Sequence, residues 1–396
     1  MSGKVQFANL VDPAGLAAFC RKIRGSRIIG FDTEFVSEDR YLPELCLLQI
    51  CGDDQLAIVD TLQCEDLSPF WDLVTDESSG HVTVVHAARE EFRFCRNACG
   101  KRPARMFDTQ IAAGLIGLEF PASYSNLVSR LAGATLSKSE TRTNWRHRPL
   151  DKQQLQYAIN DVLYLTTIHD RIMERIGELG RESWLEEEMQ QQQADFERDA
   201  ESERWDRMSG VTSLKPRQLA VARELWRWRE AAACERDTPA RKILRDDLVI
   251  ELARRGTSSR AKIRAIRGMN YGRVQKFLPE ISAAVERGNE LPESEFPKRP
   301  RKARVPNLGL LGQFLATALG VICREGLIAP NLAGSTEELR LVAAWRLGMV
   351  KLEEPPRLFT GWRKDLIANR IEQVLQGECS IRVVDPKSDQ PLTISD

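Results

Sequence analysis

The chain lacks net charge: its 57 Lys and Arg are matched by 57 Asp and Glu. No global field steers a charged partner, so affinity for a polyanion has to come from local patches. Histidine is scarce at four residues, and the nine cysteines include no C-x-x-C pair. That removes the usual ligand spacing of a structural zinc site and leaves reduced, mostly buried thiols as the expectation. The N-terminus, "MSGKVQFANL", has no basic region leading into an apolar core and does not read as a signal peptide. The best membrane candidate, "LGLLGQFLATALGVIC" at 308–323, is too short to span a bilayer, contains Gln313 and leads into Arg324 and Glu325. No membrane association and a cytoplasmic location are expected.

What the chain does have is length and apolar content. With 396 residues, 42% of them hydrophobic, it can build two or three cores. Asp12 as N-cap, Pro13 at the first position and the stripe Leu16, Phe19, Cys20 and Ile23 predict a helix stopped by Gly25. Strand-like runs follow at 27–36, 45–51 and 55–60, the last two joined across "GDD", and 81–87 reads as another strand between helical stretches. This alternation is α/β layering with a mixed sheet. Residues 182–210 are acidic and Gln-rich and predict a helix fraying into a linker. Two helical blocks follow, separated by the Pro-rich basic stretch "LPESEFPKRPRKARVP".

Two features carry chemistry. In "RIIGFDTEFV" Asp32 and Glu34 are two apart on a strand, so both carboxylates point to one face of an otherwise apolar run. Buried together as anions they would cost several kcal/mol apiece and repel each other, and a divalent cation relieves both problems. An exposed edge strand with solvated acids is the competing reading. In "DKQQLQYAINDVLYL" Tyr157 and Asp161 are four apart on a predicted helix capped by Asp151 and Gln154, which puts phenol and carboxylate on one face.

The ordered set "FDTEF", "HAAREEF" and "YAIND", with "RYLPELCLLQI", "FDTQIAAGLIG" and "LSKSETRTNWRHRPL" between them, resembles the DEDD-type 3′–5′ exonucleases of the Tyr subgroup, and ribonuclease D in particular, over roughly residues 8–185. The resemblance implies a ribonuclease H-like mixed-sheet exonuclease domain and two divalent metal ions, Mg²⁺ or Mn²⁺, as cofactors. It implies that Asp32 bridges both ions, that Glu34 and Asp161 hold the one that activates water, and that Tyr157 orients that water. All-oxygen ligands suit such hard cations, and a two-ion site can stabilise the attacking and leaving oxygens of a phosphodiester. The departure is in the second motif, where the family has Asp five residues after the histidine. Counting from His86 puts Glu91 there, which keeps the charge and adds a methylene. His86 itself reads as a packing or hydrogen-bonding residue. Lys138, Arg142 and Trp145 are candidates for substrate contact, through phosphates and base stacking; a structured loop with Trp145 in the core is the other reading.

"LKPRQLAVARELWRWREAAACERDTPARKILRDDLVIELARRG" and the following helices resemble the HRDC domain, a small all-α nucleic-acid-binding bundle, and residues 307–378 are similar to a divergent second copy in length and helical pattern. The expected organisation is an exonuclease domain at 1–185, a linker at 186–212, an HRDC domain at 213–290, a basic linker at 291–306, a second helical HRDC-like domain at 307–384 and a disordered tail at 385–396. The resemblance implies a metal-dependent 3′–5′ exoribonuclease that releases nucleoside 5′-monophosphates from RNA 3′ ends, in tRNA 3′ processing, acting as a monomer without an obligate protein partner. Two alternatives stay open: an exonuclease-fold RNA-binding protein weakened by Glu91, and an exonuclease acting on DNA.

Overall fold

A computed structural model describes residues 5–136, 143–298, 306 and 308–395. The chain divides into two compact units, one made of Met1–Glu34, Leu45–Ala200 and Ala303–Asp396, the other of Phe35–Glu44 and Glu201–Lys302.

The first unit is built on a mixed six-stranded sheet. Its strands are β1 (Ala8–Leu10), β2 (Ile28–Val36), β3 (Glu44–Gly52), β4 (Gln55–Asp60), β5 (Val82–Val85) and β6 (Met106–Asp108), in the spatial order β1-β4-β3-β2-β5-β6. β3 and β4 are antiparallel across the turn at Asp53, whose φ of 48° is the left-handed conformation a tight hairpin requires. β2, β5 and β6 run parallel, with Gly30 opposite Val84 and Val85 opposite Asp108. Their carboxyl ends therefore share one edge of the sheet, the usual location of a site in such a layer.

Helices cover the sheet: α1 (Pro13–Ile23), α2 (Ser68–Val74), α3 (Arg89–Cys99), α4 (Thr109–Gly114), α5 (Tyr124–Leu127), α6 (Lys152–Leu163), α7 (Leu165–Leu179) and α8 (Glu182–Glu201). α1 starts as its sequence dictates, with the Asp12 carboxylate accepting from Gly15 N at 2.9 Å. Gly30 decides how closely α7 lies on β2: a Cβ there would stand 2.6 Å from Cys51 Sγ and 2.9 Å from Leu165 Cδ1. Phe31, Phe70 and Trp71 meet edge to face beneath the sheet, at centroid distances of 5.1 to 6.1 Å. Cys20, Cys46, Cys51, Cys64 and Cys95 are buried, as the sequence predicts.

The same unit takes in the last helical block. Helix Gly309–Glu325 buries Leu315, Leu319 and Ile322, and among the described residues no helix is long and apolar enough to cross a membrane. Arg181 donates to the carbonyls of Leu115, Leu327 and Gly326, and Ala329 N donates to Gly114 O at 2.8 Å. Glu188 of α8 is only 4% exposed and accepts from Arg363 Nη1 at 2.5 Å and Trp362 Nε1 at 2.8 Å. The end of the chain differs from the expected disorder: β7 (Ser380–Val383) and β8 (Leu392–Ser395) form an antiparallel hairpin that buries Ile394. Its polar composition masks two short strand-forming runs.

The second unit is all-α. Helices Pro216–Glu235, Asp246–Arg255 and Leu278–Glu290 close on a core that includes Leu219, Leu225, Val249, Leu252, Ile281 and Val285. At Gly288 a Cβ would stand 2.5 Å from Val221 Cα, so only glycine allows the first and last of these helices to approach. The segment Phe35–Glu44 belongs to this unit: Tyr41 packs against its core and Tyr41 N donates to Asp237 Oδ1 at 3.1 Å.

Candidate active site

Alternation along β2 puts Asp32 and Glu34 on one face, and α6 delivers Asp161 to the same place. α6 is fixed at its start by the reciprocal bonds of Asp151 and Gln154. One carboxylate oxygen from each of Asp32, Glu34 and Asp161 lies within 4.8 Å of the other two. All three residues are partly buried, so solvent or a ligand can reach them. At that separation each ionised pair repels by roughly 3 kcal/mol at an effective dielectric of about 20, so the trio cannot be fully charged without a counter-ion.

The titration of the acids reflects this. Burial, then repulsion from Asp161, Glu91 and Glu34, raises Asp32 well above the usual carboxylate range. Burial, then Asp161 and Glu91, pushes Glu34 up to about 8. Burial pushes Asp161 up to about 7, against a hydrogen bond donated by Tyr157. The donor set is entirely carboxylate, which fits a hard divalent cation such as Mg²⁺ or Mn²⁺.

Glu91 stands apart from this trio. It sits in the first turn of α3, is 4% exposed, and its Oε1 accepts from Thr33 Oγ1 at 2.9 Å. Thr33 lies between Asp32 and Glu34 in the strand and so points to the other face. Glu91 is nevertheless near enough to raise both Asp32 and Glu34, and burial pushes its own carboxyl up to about 7. Tyr157 carries a phenol raised first by burial and then by Asp161, to which it is hydrogen-bonded.

Trp145 departs from the expectation of a stacking face. It is 5% exposed and tilts against Tyr157 with ring centroids 6.0 Å apart, which makes it a wall behind the phenol. Lys138 and Arg142 lie outside the described residues. His86 does what its sequence position suggests: Nδ1 bonds Thr109 Oγ1 at 2.9 Å, the ring meets Tyr124 edge to face, and burial lowers its pKa.

A 3′–5′ exonuclease family model matches residues 8–177 and an HRDC model matches 218–285. Ribonuclease D of Gluconacetobacter diazotrophicus is 32% identical over 375 residues, 93% of this chain and 92% of that one. The chain belongs to the ribonuclease D family. That membership makes it an enzyme, a 3′–5′ exoribonuclease of the ribonuclease D type. Ribonuclease D of Zymomonas mobilis is 30% identical across 94% of this chain and 95% of its own. The crystal structure of Escherichia coli RNase D superposes with a TM-score of 0.78 at 26% identity, covering 94% of this chain and 99% of that one. The catalytic core of RRP6 from Trypanosoma brucei shares the fold, with a TM-score of 0.54 at 23% identity over 72% of this chain and 80% of that one.

Three further residues bond to groups beside the site without standing out in the sequence. Thr33 holds Glu91. The Tyr124 hydroxyl accepts from Tyr164 N at 3.2 Å, at the break between α6 and α7 just beyond Asp161. The Asp108 carboxylate gathers the backbone amides that precede α3. Thr33 and Asp108 lie inside runs used above for resemblance, and only their partners distant in sequence reveal what they do.

The acid cluster makes a pH prediction. In the unfolded chain Glu34, Asp161 and Glu91 ionise near pH 4, whereas in the metal-free fold they hold protons to about pH 7 or 8. The fold therefore binds more protons across that interval, and the cluster's contribution to stability is complete below about pH 4 and is lost as pH rises toward 8. In chelator, the melting temperature of the wild type should fall between pH 5 and 8 more steeply than that of Asp161→Asn, and Mn²⁺ should restore it most at pH 8. Parallel profiles for the two proteins would refute the assigned repulsion.

Proposed function

We propose that the chain trims RNA 3′ ends one nucleotide at a time, releasing nucleoside 5′-monophosphates, and that its substrates are structured precursors such as tRNA with 3′ extensions. The observation that carries this reading is the meeting of Asp32, Glu34 and Asp161 around one point, with the Tyr157 phenol bonded to the third. Two divalent cations, Mg²⁺ or Mn²⁺, would supply an activated water and charge stabilisation at the attacking and leaving oxygens. Asp32, Glu34 and Asp161 would hold the cations through their carboxylates, with Glu91 as a further candidate ligand. The Tyr157 hydroxyl, bonded to Asp161 and backed by Trp145, would orient the attacking water. No histidine is needed as base.

The helical domain at 213–290 would bind RNA through phosphate contacts from basic side chains such as Arg241, Lys242, Arg260, Lys262 and Arg264, with salt-sensitive affinity. The block at 307–384 is read as a second HRDC-like domain. Action as a monomer in the cytoplasm completes the proposal.

Release of monophosphates from a 3′-extended RNA in Mg²⁺ or Mn²⁺, beside a DNA strand of the same sequence, tests it. Tyr157→Phe should lower kcat about 100-fold with KM for RNA within a factor of two, the scale of a lost proton-handling or water-orienting group. Equal loss in kcat/KM through KM alone would assign Tyr157 to binding. Absence of monophosphate release with RNA binding intact would overturn the proposal.

A further inference from the structure

The turn that launches α3 is strained and heavily bonded. Ala87 has φ of 59°, a left-handed conformation that costs a residue with a Cβ about 1 kcal/mol, and Arg89 N already bonds back to Ala87 O at 2.7 Å. What holds the turn is a single carboxylate. Asp108 Oδ1 accepts from Ala87 N at 3.0 Å and from Gln110 N at 2.9 Å, while Oδ2 accepts from Ala88 N at 3.0 Å and from Gln192 Nε2 at 2.7 Å. Asp108 is 1% exposed and ends β6, paired with Val85 at the end of β5, so its own position is fixed by the sheet. Ala88 is the residue from which α3 starts, and Glu91 follows within the first turn. A shift of these two amides therefore moves Glu91 as one body with the helix.

The fourth bond comes from α8, beyond the residues matched by the exonuclease family model. Gln192 lies one helical turn from Glu188, which is locked to Arg363, and Met189 Sδ accepts from Asp108 N at 3.3 Å. We propose that Asp108 is a positioning residue for Glu91, and that α8 takes part in setting the metal site by way of Gln192. This rests on the reading of Glu91 as a metal ligand. Glu reaches a methylene further than the Asp usual at this motif, so the start of α3 has to be placed accordingly; Asp108 holds the backbone at that start and Thr33 holds the Glu91 carboxylate.

The test uses the full chain in four variants: Asp108→Asn, Gln192→Ala, Glu91→Gln and the double Asp108→Asn/Glu91→Gln. Mn²⁺ binding is measured by calorimetry without RNA, and the half-saturating Mn²⁺ concentration and the KM for RNA in turnover. Outer partners of metal ligands typically carry 10- to 100-fold in metal affinity. Asp108→Asn should weaken Mn²⁺ binding about tenfold with KM for RNA within twofold, and Gln192→Ala should move it the same way by a smaller factor. The double variant should bind Mn²⁺ no more weakly than Glu91→Gln alone, since a residue acting through Glu91 has nothing left to act on. Additive losses in the double variant, or an Asp108→Asn protein that loses thermal stability while keeping wild-type Mn²⁺ affinity, would overturn the proposal. Wild-type behaviour of Gln192→Ala would overturn the part played by α8. A Glu91→Gln protein that binds Mn²⁺ and turns over as the wild type does overturns both the inference and the role of Glu91 beneath it.

Discussion

Asp32→Asn is expected to abolish monophosphate release, with a loss on the order of 10³-fold or more, while RNA still binds with wild-type affinity. The reason lies in where Asp32 sits. Burial, then repulsion from Asp161, Glu91 and Glu34, raises it well above the usual carboxylate range, so a bound cation would relieve several neighbours at once. Asparagine keeps the size and one acceptor and removes the charge. A loss of several kcal/mol in stabilising the charge that develops on the phosphodiester corresponds to that factor. Raising Mn²⁺ should recover little, since the missing charge is shared by both proposed positions. An Asp32→Asn protein with a tenth or more of wild-type kcat would leave the two-cation arrangement untenable.

The largest expected effect on stability is elsewhere. Glu188→Ala removes the carboxylate bonded to Arg363, leaving a guanidinium that is 2% exposed with carbonyls of Ala333 and Leu332 among its acceptors. Breaking one partner of a buried pair costs about 3 to 5 kcal/mol, far more than the pair itself contributes over an apolar replacement. Denaturant unfolding followed by the fluorescence of Trp184 and Trp362, which stack at 5.2 Å beside the pair, should show that loss. Glu188→Leu combined with Arg363→Met should cost much less. A single-variant loss below about 1 kcal/mol would mean that the guanidinium finds water or another partner.

Much of this was readable in the residues. Period-two alternation placed Asp32 and Glu34 together, four-residue helical spacing placed Tyr157 with Asp161, and the caps at Asp12 and Asp151 marked the helix starts they form. β1 and β6 were missed because three residues are too few for any periodicity to show, and their pairing depends on β4 and β5, which are distant in the chain. Trp145 could be read either way, because an aromatic in a basic loop looks the same whether it faces solvent or a phenol. Glu91 marks another limit. The motif gave its number, but its engagement by Thr33 depends on a contact across 58 positions of sequence. The hold of Arg363 on Glu188, between residues 175 positions apart, was equally invisible.

That last hold has a consequence for how the protein is made. The first unit pauses at Ala200 and resumes only at Ala303, so on the ribosome Glu188 waits for its counter-charge until Arg363 has been translated. The helical core between Trp205 and Val285 can close during that wait. The nuclease body then matures after that helical core, and α8, which reaches toward the start of α3, settles only when Arg363 arrives.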